Sequence, residues 1–211
     1  MRHEARVKLT DGRLNLDIVN RDDCAGPFGM PTLEPCHADE SRFIGFNEAK
    51  SSTKRDLGVH FFIDDYQFER VWRNPLAYIQ MLSDYTCVLT PDFSLYADMP
   101  LPLMLMSVYK SRFCGHLWQR YGMDVVPTLQ WCGPETYDFC FTGIPKGATV
   151  AVSTVGVMRS KAAQVTWRKG MDEALLRLEP ERVILYGKPI EFDTDAEVVN
   201  VAAYRFRKRG K

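Results

Sequence analysis

Six short runs rich in β-branched and aromatic residues, at positions 42–46, 59–63, 86–90, 123–131, 148–154 and 182–186, start mostly about 25–40 residues apart. Between most of them lies a stretch with apolar residues at every third or fourth position. That alternation predicts βαβ units, whose strands run parallel because each crossover helix returns the chain to the same end. The expected fold class is α/β: a mostly parallel sheet of about six strands with crossover helices. Either an incomplete (β/α)-barrel-like sheet or an open one satisfies the pattern. Parallel sheets bind ligands at the carboxyl ends of their strands, so the residues just after each run are where a site is expected.

The helices announce themselves. Asn74-Pro75 supplies a cap and a first-turn proline for a helix over 75–85. A long helix follows Pro100 and Pro102, with Leu103, Met106, Tyr109, Phe113 and Leu117 on one face and Gly122 closing it. Residues 135–141 suggest a short helix, and 160–178 form another, stopped by Glu179-Pro180. Residues 1–41, polar and broken by Gly and Pro, read as an N-terminal arm with a short edge strand at 14–19. Residues 42–190 make the α/β core domain, and 191–211 a C-terminal extension with a basic tail.

Charge narrows the function classes. The 211 residues carry 27 Lys plus Arg against 27 Asp plus Glu, so the surface as a whole is no nucleic-acid footprint, although a local basic patch is allowed. No stretch approaches the roughly 20 apolar residues of a membrane span, and the N-terminus lacks the apolar core of a secretory signal. No membrane partner is expected, and the expected location is cytoplasmic. The cysteines are scattered without a CxxC pair and read as small buried hydrophobes. Cys24 with Cys36-His37 would make only half a metal site, so no metal site is assigned.

Asp64 and Asp65 end the second run and Asp92 the third. Acids at two consecutive strand ends suit a divalent metal, acid–base catalysis, or hydrogen bonds from sugar hydroxyls or base edges. Helix capping is the plainer account. Adjacent residues on an extended chain point to opposite faces, so only one of Asp64 and Asp65 faces a pocket. Nearby, Arg70 suits pairing with Asp92 or an anion, and Trp72 suits stacking on a base; an internal Arg–carboxylate bridge over a core Trp is the plainer account of both. Trp131 is placed to floor a pocket, whereas Cys132 has no strand-end His to activate it. Ser153, Thr154 and Gly156 lie between a strand and a helix, and Tyr186 and Lys188 end the next strand. Hydroxyls, a glycine and free helix N–H groups suit a phosphate, as a cap and a turn also would without one. The final YRFRKRGK, with Arg205, Arg207, Lys208 and Arg209, has the look of a phosphate-backbone contact or of a solvated terminus.

The motifs FNEAKSS, VHFFIDDYQFERVW, LTPDFSLYADMP, PTLQW, FCFTGIPKG, VAVSTVG and LYGKP occur in that order. Together they resemble a domain-of-unknown-function family from phages, prophages and bacterial mobile elements, over about residues 43–189. The resemblance implies a phage-type protein acting in the host cytoplasm. That family has no established activity, so it brings no catalytic residues with it. Matching positions are Asn47, Asp64, Asp65, Glu69, Arg70, Asp92, Ser94, Asp98, Trp131, Ser153, Thr154, Gly156, Tyr186 and Gly187.

The expected site is a cleft with an acidic side (Asp64, Asp92), an aromatic wall (Tyr66, Trp72, Trp131) and an anion side (Ser153, Thr154, Lys188). It suits a nucleotide-like small molecule, bound or processed, with Asp64, Asp65 and Asp92 the acids of any catalysis. The alternatives are a single-stranded DNA-binding protein of phage replication or DNA modification, working through the tail, and a protein-binding inhibitor of a host factor.

Overall fold

The computed structural model describes residues 12–203. The tail residues Arg205, Arg207, Lys208 and Arg209 lie outside the described residues.

A short antiparallel hairpin, β1 (Cys24–Ala25) and β2 (Met30–Pro31), comes first. The body is parallel throughout. β3 (Phe43–Gly45), β4 (Gly58–His60), β5 (Cys87–Leu89) and β6 (Val125–Val126) pair in sequence order. So do β7 (Thr149–Ser153), β8 (Arg182–Tyr186) and β9 (Glu197–Val201). One bridge joins the two sets: Thr128 lies opposite Ala151, with Ala151 N donating to Pro127 O at 2.9 Å and Leu129 N to Ala151 O at 2.7 Å. Pro127 ends the pairing with β5, and the chain then continues against β7. Among the described residues β9 does not pair with β3, so the barrel is not closed.

The sheet nonetheless curls. Phe62, Leu89, Val126, Ala151, Ile184, Tyr186 and Val201 share one buried cluster on its inner face. The Tyr186 ring at the end of β8 lies 4.5 Å from His60 and 4.8 Å from Phe62 on the β4 side, although three strands separate them in the order. The alternate residues face out. Val150, Val152, Val183 and Leu185 pack under α6 (Lys161–Leu178), against Trp167, Met171, Ala174 and Leu178. Val59, Phe61, Val88 and Val125 pack against Phe113, Leu117 and Trp118 of α4 (Leu101–Arg120). The period of two in VAVS and RVILY thus divides barrel interior from helix layer. Gly115 lets α4 come close, since a Cβ there would meet Thr90 Cγ2 at 2.6 Å.

Several elements differ from expectation. The sheet system has seven parallel strands, because β9 extends it past residue 190. Residues 14–18 form a turn, not an edge strand; there Asn15, with φ of 57°, donates its side-chain amide to Trp72 O at 2.8 Å. The helix expected over 75–85 is a 3₁₀ turn, Pro75–Tyr78, followed by one turn of α-helix at Ile79–Leu82, and Asn74 makes no side-chain cap. Ser160 precedes α6 as its cap, accepting from Ala163 N at 3.1 Å. Residues 36–38 of the arm are part of the body. Cys36 enters the inner cluster, Cys36 O accepts from Thr149 N at 2.9 Å, and Ala38 O accepts from Thr149 Oγ1 and Arg182 Nη1 at 3.3 Å each. The segment therefore plugs the N-terminal end of β7 and β8. No helix among the described residues is long and apolar enough to cross a membrane.

Candidate functional site

Parallel strands in sequence order bring their C-terminal ends to one rim. On the acidic side, the chain leaves β4 through Phe61 and Phe62 into a 3₁₀ turn, Asp65–Gln67. The two aspartates diverge as extended geometry requires. Asp64 is exposed. Asp65 turns to the neighbouring loop and accepts Ser94 N at 3.0 Å and Ser94 Oγ at 2.8 Å. Asp92 is half-buried, and its Oδ1 accepts from Gln130 Nε2 at 3.2 Å. Desolvation pushes the Asp92 carboxyl up to about 6; the Gln130 bond opposes this and the charge of Asp65 adds to it.

Gln130 was not singled out from the sequence. Its Nε2 also donates to Phe93 O at 2.8 Å, while its Oε1 is buried with no hydrogen-bond partner among the described residues. Thr128 shares the inner face with Ala151, and Gln130, two residues on, shares it with Thr128. A buried acceptor without a donor costs about 1–3 kcal/mol, and such exceptions call for an explanation.

His60 is the second residue missed, because strand β4 ends at His60 rather than near residue 63. It is buried just inside the rim. Its Nδ1 accepts from Phe62 N at 3.2 Å, which leaves the ring proton on Nε2, and burial pushes its pKa down to about 4. His60 is therefore a neutral imidazole at physiological pH. Asn47, on the helical turn Phe46–Ala49 after β3, stands beside it: a Cβ built on Gly45 would meet Asn47 Oδ1 at 2.6 Å and His60 Cε1 at 3.6 Å. Ser153 is paired with Tyr186 across β7 and β8 on the same inner face.

Other expected members lie elsewhere. Trp72 is buried in the helical layer, edge-on to Phe113 at 5.1 Å and Tyr109 at 6.3 Å, and offers no face for stacking. Trp131 points outward against α6, donating Nε1 to Thr166 O at 3.3 Å beside Trp167. The expected aromatic wall is thus absent, and Tyr66 (80% exposed) and Tyr96 (58%) are the open aromatics of these loops. Arg70 makes no ion pair with Asp92; its guanidinium lies over Phe46 at 5.0 Å. Glu69 pairs with Lys110 of α4 at 3.0 Å.

The anion side is also rearranged. Thr154 is buried and donates Oγ1 to Lys188 O at 2.7 Å, and Ser153 Oγ accepts from Val155 N at 3.0 Å. Both hydroxyls hold loops in place. Gly156 adopts φ of 85° ahead of a 3₁₀ turn, Val157–Arg159, so the start of α6 lies well past Thr154 and is capped by Ser160. Lys188 is exposed at the rim. No group of three or more His, Cys, Asp or Glu among the described residues is arranged to hold a metal ion. At the opposite end of the strands a cavity of about 360 Å³ is lined by His37, Asp39, Glu40, Thr86, Cys87 and Asp124.

Fold and rim define a class: an α/β protein with a curled, open parallel sheet whose C-terminal edge carries a recessed acid–amide pair. Within that class, residues 22–205 match the family model described as Domain of unknown function (DUF4417), and the chain belongs to that family. The match extends past residues 43–189 at both ends, taking in the plugging segment and β9. The Gene 1 protein of Mycobacterium phage L5 is 37% identical over 194 residues, covering 90% of this chain and 83% of the phage protein. The Gene 1 protein of Mycobacterium phage D29 is 44% identical over 146 residues, 69% of this chain. The chain spans about half, 54%, of the D29 protein's length. These relatives mark the chain as phage-type. No solved structure matches it.

Proposed function

We propose that this protein binds a nucleotide-like small molecule at the C-terminal rim, sequestering or processing it in the cytoplasm of the host cell. The observation that supports this best is the Asp92–Gln130 pair. A recessed carboxyl and a buried amide oxygen without a donor are joined at the ends of β5 and β6. A carboxyl whose pKa is raised by burial at the strand-end rim supports a functional site there. Asp65 fixes the loop beside them, and Lys188 supplies positive charge at the end of β8. The test is calorimetry and thermal shift with mononucleotides and cyclic dinucleotides. A response with at least one of them, weakened by Asp92→Asn, is expected. No heat and no melting shift with any of them would refute the reading.

A second reading, a protein-binding inhibitor of a host factor, is favoured by the exposure of Tyr66, Tyr96, Leu101 and Leu103. Co-purification from host lysate that is lost in a Tyr66→Ser, Tyr96→Ser variant would support it. The single-stranded DNA reading rests on Arg205, Arg207, Lys208 and Arg209. It requires a gel shift that weakens steeply with salt and on removal of residues 204–211.

A further inference from the structure

We infer that the protein carries a second binding site, independent of the rim, for a small carboxylic acid with a compact apolar body. A cavity of about 210 Å³ lies between α4 and residues 16–29, lined by Leu16, Val19, Arg21, Cys24, Gly29 and Tyr109. It opens to solvent: Arg21 is exposed, and Leu16, Val19, Cys24 and Tyr109 are half-buried. Arg21 belongs to the 3₁₀ turn Arg21–Asp23. Among the described residues its guanidinium enters no hydrogen bond or ion pair. The neighbouring Asp23 carboxylate accepts instead from Asn20 Nδ2 at 2.8 Å and lies 3.9 Å from His116 Nε2. The Tyr109 hydroxyl likewise makes no hydrogen bond among the described residues. Cys24 Sγ is already committed, donating to Asn20 O at 3.7 Å.

These groups converge on one space, and the Arg21 charge is felt at both the Tyr109 hydroxyl and the Cys24 thiol. Burial nonetheless pushes the pKa of each up; the charge of Cys24 adds to this at Tyr109, and that of Asp23 adds at Cys24, while Arg21 opposes both. Both groups are therefore neutral at physiological pH, and Arg21 is the one charged side chain lining the cavity. A lone guanidinium calls for a monoanion, and its planar fork matches the two oxygens of a carboxylate. A neutral phenol beside it can donate a third hydrogen bond to the same group. Leu16, Val19 and the Tyr109 ring make the rest of the wall apolar, so the body of the ligand is hydrocarbon. A benzene ring fits in about 150 Å³, so the cavity here has room for a ring and its carboxylate.

The experiment is titration calorimetry of the full chain with three probes: benzoate; benzamide, which has the ring but no charge; and acetate, which has the charge but no ring. Benzoate is expected to bind, and each of the others at least ~10-fold more weakly, since one loses the charge-assisted hydrogen bonds and the other the apolar burial. Arg21→Gln is expected to weaken benzoate by ~10-fold and Tyr109→Phe by ~5-fold. Neither polar end is tied into the fold, so the melting temperatures of both variants without ligand should match wild type. Benzoate should also slow the labelling of Cys24 by a disulfide reagent and leave that of Cys132 unchanged, which places the ligand. No heat with benzoate at up to ~10 mM, equal binding of benzamide, or benzoate binding that leaves Cys24 labelling unchanged would overturn the inference. The probe comparison uses unaltered protein, and none of these outcomes bears on the nucleotide reading, which concerns other residues.

Discussion

Asp92→Asn is expected to make the protein more stable at neutral pH while weakening ligand binding. The Asp92 carboxyl is held at about 6 against its usual 3.8, chiefly by desolvation. That gap of roughly two pH units, at about 1.4 kcal/mol each, puts the cost of ionising it in the folded state at about 3 kcal/mol. Solvent reaches the group in part, so about 1–2 kcal/mol is the realistic figure. Asparagine has the same shape, keeps an oxygen for Gln130 Nε2, and removes the repulsion from Asp65. The sign follows from linkage: the folded state holds this proton more tightly than the unfolded chain. The penalty is thus absent below about pH 3.8, grows as pH rises, and is complete above about 6. Urea titrations at about pH 8 should show Asp92→Asn ahead by ~1–2 kcal/mol, or ~2–8 °C in melting temperature for a domain of this size. At about pH 3.5 the two proteins should coincide. A variant less stable at pH 8, or a difference equal at both pH values, would refute the reasoning.

Other perturbations test the packing around the rim. Gly187→Ala should destabilise by ~1–3 kcal/mol in urea titration, because Gly187 has φ of 119° and a Cβ there would lie 2.5 Å from Thr154 Oγ1, disrupting its bond to Lys188 O. Gly170→Ala places a methyl 2.1 Å from Trp131 Nε1; the ring must leave its slot between α6 and Phe141, giving a red-shifted tryptophan emission and a loss of ~1–3 kcal/mol. Thiol titration with a disulfide reagent at about pH 8 should label half-buried Cys24 and Cys132 first. Burial pushes Cys87 and Cys140 up to about 12 and raises Cys114 as well, so these should react only after denaturation.

The strand–helix alternation carried the parallel sheet and its rim because burial leaves a strong mark on composition. Val150 to Val152 and Val183 to Leu185 are apolar on both faces, as strands between a helix layer and an interior must be. β9 left no such mark: Glu197 and Asn200 are exposed, and of its five residues only Val201 is buried. Asp64, Asp65 and Asp92 stood out because acids at strand ends are conspicuous. Trp72 and Trp131 misled because a tryptophan near acids looks the same whether it faces a cleft or a helix; a one-residue phase decides, and Trp131 falls outward where Gln130 falls inward. Gln130 carried no signal of its own, since an amide becomes informative only once its hydrogen bonds can be counted. Ser153-Thr154 looked like a helix start because the intervening turn at Gly156 and the true cap at Ser160 also use small residues.

The plug at the base of the sheet has a consequence for synthesis. Ala38 O is bonded by Thr149 Oγ1, 111 residues later, and by Arg182 Nη1, 144 residues later. Residues 36–38 are made well before the strands that dock them, so the plug can close only once β7 and β8 exist. Docking of this segment is therefore a late step in the folding of the domain, held back by contacts that span more than a hundred residues.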